Sequence, residues 1–287
     1  MNTLDLFTPA TEANNIMSFA QAEAHRMWPS AAHRTRSLAQ LGRFVDFRDH
    51  SIKPIGHFLP RDVHAFADHL VTSGASAGTV NRYLASISKV FNHAVDEQII
   101  NVAPRLKFMR EQQKRIRFFT EAEQAELVAY FNDLGLYWMR DMLVLSLKTG
   151  VRRGEIVALG EGRAKLSNDG HWLMLPSDVT KTNKSRNVPL GNQDAREAAQ
   201  RLAATLGQHY SKRKFEQAWA KAQRDVGKGD RTFVFHVARH TCASYLANDL
   251  QINTVVIAEM LGHASLTTTS RYIHAKPDAL LDISKRM

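Results

Sequence analysis

The sequence predicts a mainly α-helical protein with a small β-sheet, divided into two domains. Apolar residues recur at helical spacing through most of the chain, whereas two short runs, 171–175 and 186–190, have the pattern of strands. A basic stretch with few apolar residues follows Pro104 and separates the two patterns. We place the boundary near residue 113, so that residues 1–112 form a helical domain and residues 113–287 form a mixed, mostly helical one.

The first domain contains one strongly patterned helix, from about Ser76 to Gln98. Its apolar residues form a single stripe at alternating steps of three and four: Val80, Leu84, Ile87, Phe91 and Ala94. Three shorter helical stretches precede it, around 19–24, around 38–45, and from Pro60 to the Ser73-Gly74 break. A second face carries polar residues, which are either solvated or directed at phosphates: Arg82, Ser86, Lys89 and His93.

The segment after Pro104 is predicted to be an exposed basic linker that follows a duplex backbone. Its cationic residues are Lys107, Arg110, Lys114, Arg115 and Arg117. Thr120 and Glu123 then form a capping-box pattern that begins the next helix. Further helices are expected at 121–133, 137–148, 193–206, 212–226, 236–248 and 254–261, followed by a polar segment at 265–272 and a final apolar group within 278–286.

Charge and cysteine content limit the functional classes. A formal net charge of +10 favours a polyanionic partner, although an inert basic surface has the same composition. The single cysteine, Cys242, excludes an internal disulfide framework and a cysteine-based zinc site, and its apolar surroundings predict burial. No signal peptide or bilayer-length apolar run is evident, so we expect a cytoplasmic protein without membrane contact.

Two arginines in the second domain are candidates to bind a phosphodiester. An arginine fork contacts two oxygens at once and stays protonated, which suits a site that stabilises charge on phosphate without metal. Arg152 follows a Thr-Gly turn, and Glu155 three residues later is expected to orient the site. Arg239 has His236 on the same helix face. Alternative interpretations assign these residues no function: Arg152 is then an ordinary surface arginine, and His236 with Arg239 is an ordinary polar start of a helix.

Three further residues complete the candidate set. Lys181 lies in the loop between the two predicted strands and can protonate a departing sugar oxygen, with Lys184 and Arg186 as alternatives in the same loop. His263 follows a helix-ending glycine. Tyr272 follows a threonine-rich stretch, and its phenol is a candidate nucleophile.

The order and the residue patterns of these motifs resemble those of the tyrosine recombinase, or phage integrase, family. The resemblance rests on residues 149–155, 180–190, 236–244, 261–263 and 269–274, and on residues 79–84 through 102–104, which resemble the end of the family's core-binding domain. Val237 and Ala238 replace a commoner Asp-Leu pair and leave the phosphate-facing residues unchanged. The resemblance implies a SAM-like helical core-binding domain and a catalytic domain that close on DNA as a C-shaped clamp.

The resemblance also implies a mechanism. Tyr272 attacks the scissile phosphate to give a 3′-phosphotyrosine and a free 5′-hydroxyl, while Arg152, Arg239 and His263 hold the nonbridging oxygens. Lys181 protonates the leaving 5′-oxygen, and His236 is the expected acceptor of the tyrosine proton. No metal, ATP or other cofactor is expected.

The implied partners are double-stranded DNA core or attachment sites, four copies of the chain on paired sites, and accessory DNA-bending or directionality proteins. The reaction is expected to take place on DNA in the cytoplasm of a bacterial or virus-infected cell. We expect integration or excision of a phage or mobile element. Alternatives are Xer-like resolution of chromosome or plasmid dimers, relaxation of DNA as by type IB topoisomerases, and a catalytically silent DNA-binding regulator. The last apolar residues, Leu280, Leu281 and Ile283, are expected to pack on a neighbouring copy or on their own domain.

Overall fold

The computed structural model describes residues 15–111 and 116–272. The chain folds as two compact units, Met1–Gln113 and Lys114–Met287. None of the described helices combines the length and the apolar composition needed to cross a bilayer. The predicted class, mainly α with a small sheet, is confirmed.

The first unit is a helical bundle. Its helices are α1 (Ile16–Ala22), α2 (Ala24–Met27), α3 (Ala31–Asp46), α4 (Pro60–Thr72) and α5 (Ala77–Asp96), with short 3-10 turns at His50–Ile52 and Ile55–His57. Local chemistry sets their starts. The Ser76 hydroxyl accepts a hydrogen bond from the Thr79 amide at the start of α5, and the Asp62 carboxylate accepts one from the Leu59 amide at the start of α4.

Helix α5 buries the predicted apolar stripe, with Val80, Leu84, Ile87 and Phe91 fully enclosed. The four polar residues predicted on its second face do not share one exposed surface. Arg82 and Lys89 are exposed, as a phosphate-facing surface requires. Ser86 and His93 do not belong to such a surface. The Ser86 hydroxyl is buried and donates to Gln40 of α3, and the His93 ring lies 3.3 Å from the Glu23 carboxylate.

The second unit contains eight α-helices in its described part. They are α6 (Glu121–Asp133), α7 (Tyr137–Thr149), α8 (Arg153–Gly160), α9 (Gln193–His209), α10 (Lys212–Asp225), α11 (Val237–Ser244), α12 (Thr254–Leu261) and α13 (Leu266–Ser270). The predicted capping box at Thr120 and Glu123 is present, with both reciprocal hydrogen bonds formed. Cys242 is buried, as predicted.

A three-stranded antiparallel sheet lies in the same unit, in the order β1 (Lys165–Leu166), β2 (Trp172–Leu175) and β3 (Arg186–Pro189). The register pairs Leu173 with Val188, and both side chains are fully buried. The two predicted strands are confirmed. The third, β1, was not predicted because two residues are too few to show a strand pattern.

The helix predicted at 236–248 is present, but it changes type in its second half. The α-helix ends at Ser244, and Tyr245–Asp249 continues as a π-turn. The Asn248 side chain, within this wider turn, donates to the carbonyl of Ser244 and to the carbonyl of Tyr272. π-turns inside helices occur frequently at functional sites.

Candidate active site

Arg152 is the N-cap residue of α8, and its guanidinium is fixed from two sides. Nη1 donates to Glu155 Oε1 at 2.9 Å, and Nη2 donates to the carbonyl of Gly262 at 2.9 Å. The predicted i, i+3 partnership of Arg152 and Glu155 is therefore present. Glu155 also accepts a hydrogen bond from the Arg152 amide, so one carboxylate orders both the backbone and the side chain of the arginine.

Arg186 is the second cation on Glu155. Its Nη2 donates to Glu155 Oε2 at 2.9 Å, and the side chains of both residues are largely buried. Loss of solvent lowers the pKa of Arg186, and Glu155 opposes this. The sequence presented Arg186 only as an alternative to Lys181, and the structure places it inside the site as a partner of Glu155.

Arg239 is almost completely buried, at 2% exposure. Its Nη1 donates to the carbonyl of Gly150 at 2.6 Å, and its Nη2 donates to the carbonyl of Leu261 at 2.7 Å. Burial and the nearby charge of Arg152 lower its pKa, yet an arginine guanidinium keeps its proton at neutral pH. The protein thus maintains a desolvated positive charge in the interior of the site.

Two glycines shape the backbone that holds these arginines. Gly150 ends α7 and Gly262 ends α12, each with φ of +67°. The left-handed conformation turns the chain directly after each helix, and the turned carbonyls of Gly150 and Gly262 accept from Arg239 and Arg152. The helix-ending glycine predicted before His263 is confirmed.

His263 contacts Tyr272 and lies near Arg239 and Arg152. Its Nδ1 is 2.7 Å from the hydroxyl of Thr269, which is fully buried in α13. Its ring is stacked on the ring of Tyr272, with centroids 6.3 Å apart. Burial, followed by the charges of Arg239 and Arg152, lowers the pKa of His263 to about 4, so it is neutral at physiological pH.

Tyr272 is buried, at 3% exposure, and its hydroxyl is 2.5 Å from Nδ1 of His240. Its ring packs against the side chains of Ala243, Ile257 and Leu261. Burial raises its pKa, and the positive charge of Arg239 opposes this rise. The candidate nucleophile is therefore a neutral phenol, held close to the buried arginine.

His236 does not contact Tyr272. It is the N-cap residue of α11, and its ring centroid lies 4.7 Å from that of His240. Its side chain has no hydrogen bond to any residue in the described ranges. Desolvation of the ring and the charges of His240 and Arg239 lower its pKa to about 4. The sequence does carry a signal for His240, because this residue lies at i+4 from His236 on one helix face.

Lys181 lies in the loop between β2 and β3, and it is exposed. The Thr180 hydroxyl closes the turn by donating to the carbonyl of Lys184 and accepting from its amide. Lys181 is close enough for its charge to act on His236. Lys184 is also exposed. The structure therefore gathers Arg152, Glu155, Arg239, His263 and Tyr272 tightly, with His236 and Lys181 at the exposed side.

The cationic residues predicted to bind DNA fall into four groups, of which Arg117 is the last. Arg82 and Lys89 line one pocket of the first unit together with Arg36, His33 and Trp28. Arg110 is exposed. Lys114 and Arg115 lie outside the described residues.

Arg117 has other partners. Its guanidinium donates to Glu123 at 2.6 Å and to Asp230 at 2.8 Å, and it covers the rings of Phe119 and Phe233. This guanidinium bridges α6 to a surface turn, and it is not a free cation on an exposed linker. The charge run in the sequence does not reveal these partners, because they are distant in the chain.

Comparison with known proteins identifies the family of each of the two units. Residues 117–278 match the model of the phage integrase family, and residues 35–98 match the model of the phage integrase N-terminal SAM-like domain. The tyrosine recombinase XerC of Staphylococcus carnosus is 25% identical over 262 residues, covering 84% of this chain and 85% of its own. The integrase of Haemophilus phage HP1 is 28% identical over 214 residues, covering 70% of this chain and 57% of its own.

A solved structure shows the same fold. The Tn1549 transposon integrase, solved in complex with circular intermediate DNA, has a TM-score of 0.72 at 17% identity, covering 94% of this chain and 99% of its own. The catalytic family model alone matches more than half of the chain. The resemblance that the motifs indicated is confirmed: the chain belongs to the phage integrase family, whose members are tyrosine recombinases that cleave and rejoin DNA at specific sites.

Proposed function

We propose that this protein is a site-specific DNA recombinase whose nucleophile is Tyr272. The observation that carries the proposal is the burial of the Tyr272 hydroxyl close to a desolvated guanidinium, that of Arg239. Attack of the phenol on a phosphodiester forms a 3′-phosphotyrosine and releases a 5′-hydroxyl. The covalent link conserves the bond energy, so rejoining to a partner strand needs no other energy source.

Arg152 and Arg239 form the phosphate clamp. Each guanidinium uses two of its N–H groups on fixed protein acceptors, and the remaining N–H donors are left for nonbridging oxygens. The clamp is therefore preorganised, and no reorganisation is needed when negative charge develops on the phosphate. His263 is neutral, and its bond to Thr269 leaves the other ring nitrogen for a phosphate oxygen.

Lys181 is assigned to the leaving group. Lys181 is exposed on a hairpin loop, and its charge acts on His236. Its ammonium can donate a proton to the 5′-oxygen, which leaves on the side of the phosphate opposite the nucleophile. Lys184 on the same loop serves as a matched comparison.

DNA binding by the first unit is supported by the surface of α3 and α5. Arg36, Arg82 and Lys89 line one pocket, and such a group of cations neutralises successive phosphates of a backbone. Arg110 belongs to the same proposal, as do Lys114 and Arg115 outside the described residues. The substrates would be paired core or attachment sites of a phage or mobile element. The XerC relatives keep resolution of chromosome or plasmid dimers as the second candidate.

Two strand exchanges on paired sites require four copies of the chain. Exposed apolar side chains on the second unit support assembly through α12 and the turn before it: Leu250, Ile252, Val255 and Val256. The apolar residues Leu280, Leu281 and Ile283, predicted to pack on a neighbour, lie outside the described residues. The mass of the complex on a duplex with two sites tests the assembly.

The test of the proposed function is covalent trapping. In randomised duplexes with a nick just 3′ of the cleavage position, cleavage releases the short fragment that carries the new 5′-hydroxyl. The cleaved strand then stays attached to protein through its 3′ end and can be recovered and sequenced. We expect adducts at one sequence with the wild type and with Tyr137→Phe, which alters an exposed tyrosine, but none with Tyr272→Phe. Adducts with Tyr272→Phe would refute the nucleophile. Relaxation of any supercoiled plasmid without exchange between two recovered sites would indicate a topoisomerase.

A further inference from the structure

The hydroxyl of Tyr272 has a defined partner, and it is His240. The distance from Tyr272 Oη to His240 Nδ1 is 2.5 Å, and the two ring planes are inclined at 39°. His240 directly follows Arg239 on α11. The same helix therefore carries an arginine of the phosphate clamp and the histidine that hydrogen-bonds the nucleophile. His236 makes no such contact.

The charge state of the pair sets the direction of this hydrogen bond. Burial, followed by the charge of Arg239, lowers the pKa of His240, and burial raises the pKa of Tyr272. Both groups are therefore neutral before reaction. A neutral phenol donates and a neutral imidazole nitrogen accepts, so the ring proton of His240 is assigned to Nε2. The other titratable groups whose charges act on this pair are His236 and His263, both neutral, and the cationic Arg239, Arg152 and Arg271.

A second contact fixes the tyrosine in place. Nδ2 of Asn248 in the π-turn donates to the carbonyl of Tyr272 at 2.8 Å. His240 and Asn248 thus hold the nucleophile at its side chain and its backbone, and both belong to α11 and the turn that continues it. This arrangement keeps the phenol oxygen aligned with a proton acceptor before the phosphate arrives.

A route from His240 to solvent is also present. The His236 ring lies edge-on to that of His240, with centroids 4.7 Å apart and planes at 82°. His236 is the more exposed member of the pair. A proton taken at Nδ1 of His240 can therefore be matched by release of the Nε2 proton towards His236 and water.

We propose that His240 is the catalytic base that accepts the proton of Tyr272, and that His236 relays a proton between His240 and solvent. This rests on the proposed function. In cleavage, the Tyr272 O–H bond breaks as its oxygen bonds to phosphorus, and Nδ1 takes the proton. The P–O bond to the 5′-oxygen breaks, and Lys181 protonates that oxygen. In rejoining, the 5′-hydroxyl attacks, the tyrosine oxygen leaves, and His240 Nδ1 returns the proton.

The test uses His240→Asn and His240→Ala in the full chain. An asparagine side chain places an amide near the position of Nδ1 and can hydrogen-bond the phenol, but it cannot take its proton. We expect both variants to form adduct on the selected duplex about 10²–10⁴-fold more slowly than wild type. DNA affinity and urea unfolding are expected to stay near wild type for His240→Asn. His236→Asn is expected to show a smaller loss, since water can replace a relay.

A substrate with a 5′-bridging phosphorothiolate separates the two ends of the reaction. Its thiolate leaving group needs no proton, so it should restore cleavage to Lys181→Ala but not to the His240 variants. Lys184→Ala should behave as wild type on both substrates. Rescue of His240→Asn by the phosphorothiolate, wild-type cleavage by His240→Asn, or a larger loss with His236→Asn would each overturn the proposal. Absence of adducts with the wild type would instead refute the proposed function.

Discussion

Glu155 Oε2 accepts a hydrogen bond from Arg186 Nη2 at 2.9 Å, in a part of the second unit where neither side chain is more than 10% exposed. The other carboxylate oxygen accepts from Arg152. One buried negative charge thus balances two arginines, one of them a proposed phosphate ligand. Removing that charge would leave Arg186 buried without a counter-ion, and burying an unpaired charge is costly.

We predict that Glu155→Gln lowers the free energy of unfolding by about 3–5 kcal/mol, because Arg152 and Arg186 lose the one carboxylate among the described residues that pairs with both of them. Urea unfolding followed by circular dichroism measures this. The control is Glu161→Gln, which breaks an exposed pair with Arg163 and should cost at most about 1 kcal/mol. Equal losses in the two variants would contradict the structural role of Glu155. Wild-type cleavage by a folded Glu155→Gln would contradict its part in ordering Arg152.

The left-handed turn at Gly150 gives a second prediction. A Cβ at this position would overlap Cδ2 of Leu261, in addition to the strain of φ at +67°. Gly135 has nearly the same φ, +64°, but a Cβ there would meet open space. Gly135→Ala should therefore cost only the conformational strain, about 1 kcal/mol. Gly150→Ala should cost clearly more, and it should slow cleavage because the Gly150 carbonyl positions Arg239. Equal unfolding midpoints would refute this.

The sequence predicts the helices and two strands because each pattern is local. The spacing of Val80, Leu84 and Ile87 alone predicts that they are buried. Thr120 with Glu123 predicts the start of a helix. The sequence also predicts the candidate site residues, because each of them lies in a short motif with a recognisable residue pattern. What local pattern could not give is the pairing across the chain.

The partner of Tyr272 shows the limit clearly. His240 and Tyr272 are 32 positions apart, and only the fold decides which ring nitrogen meets the phenol. Arg117 shows the same limit, because its guanidinium donates to Asp230, which lies 113 positions away in the chain. The π-turn was also beyond prediction, because the side-chain bond of Asn248 to the Tyr272 carbonyl depends on tertiary structure.

Stability should depend on pH through the buried histidines. The pKa of His263 is about 4 in the folded chain, against 6.5 for an ordinary histidine. Between these values the unfolded chain binds more protons, so stability is fully present above about pH 6.5 and is lost as the pH falls towards 4. The slope contributed by one such group is at most about 1.4 kcal/mol per pH unit, and partial solvent access reduces it.

Urea unfolding at a series of pH values checks this expectation. His263→Gln should flatten the slope between about pH 6.5 and 4, because its amide does not titrate. His209→Gln, at an exposed position on α9, is the control for replacing a histidine elsewhere in the same unit. A slope in His263→Gln as steep as in wild type would show that His263 is not the group responsible.

Salt dependence of DNA binding should separate free cations from paired ones. Each phosphate contact contributes about −0.9 to the slope of log K against log salt. Arg82→Ala and Lys89→Ala should each make that slope shallower by about 1, because both side chains are exposed beside Arg36. Arg117→Ala should leave the slope unchanged and lower stability, since its guanidinium holds Glu123 and Asp230. Fluorescence anisotropy over a potassium chloride series on the selected duplex measures the slopes. If Arg117→Ala flattens the slope as much as Arg82→Ala, its ion pairs must open to admit a phosphate.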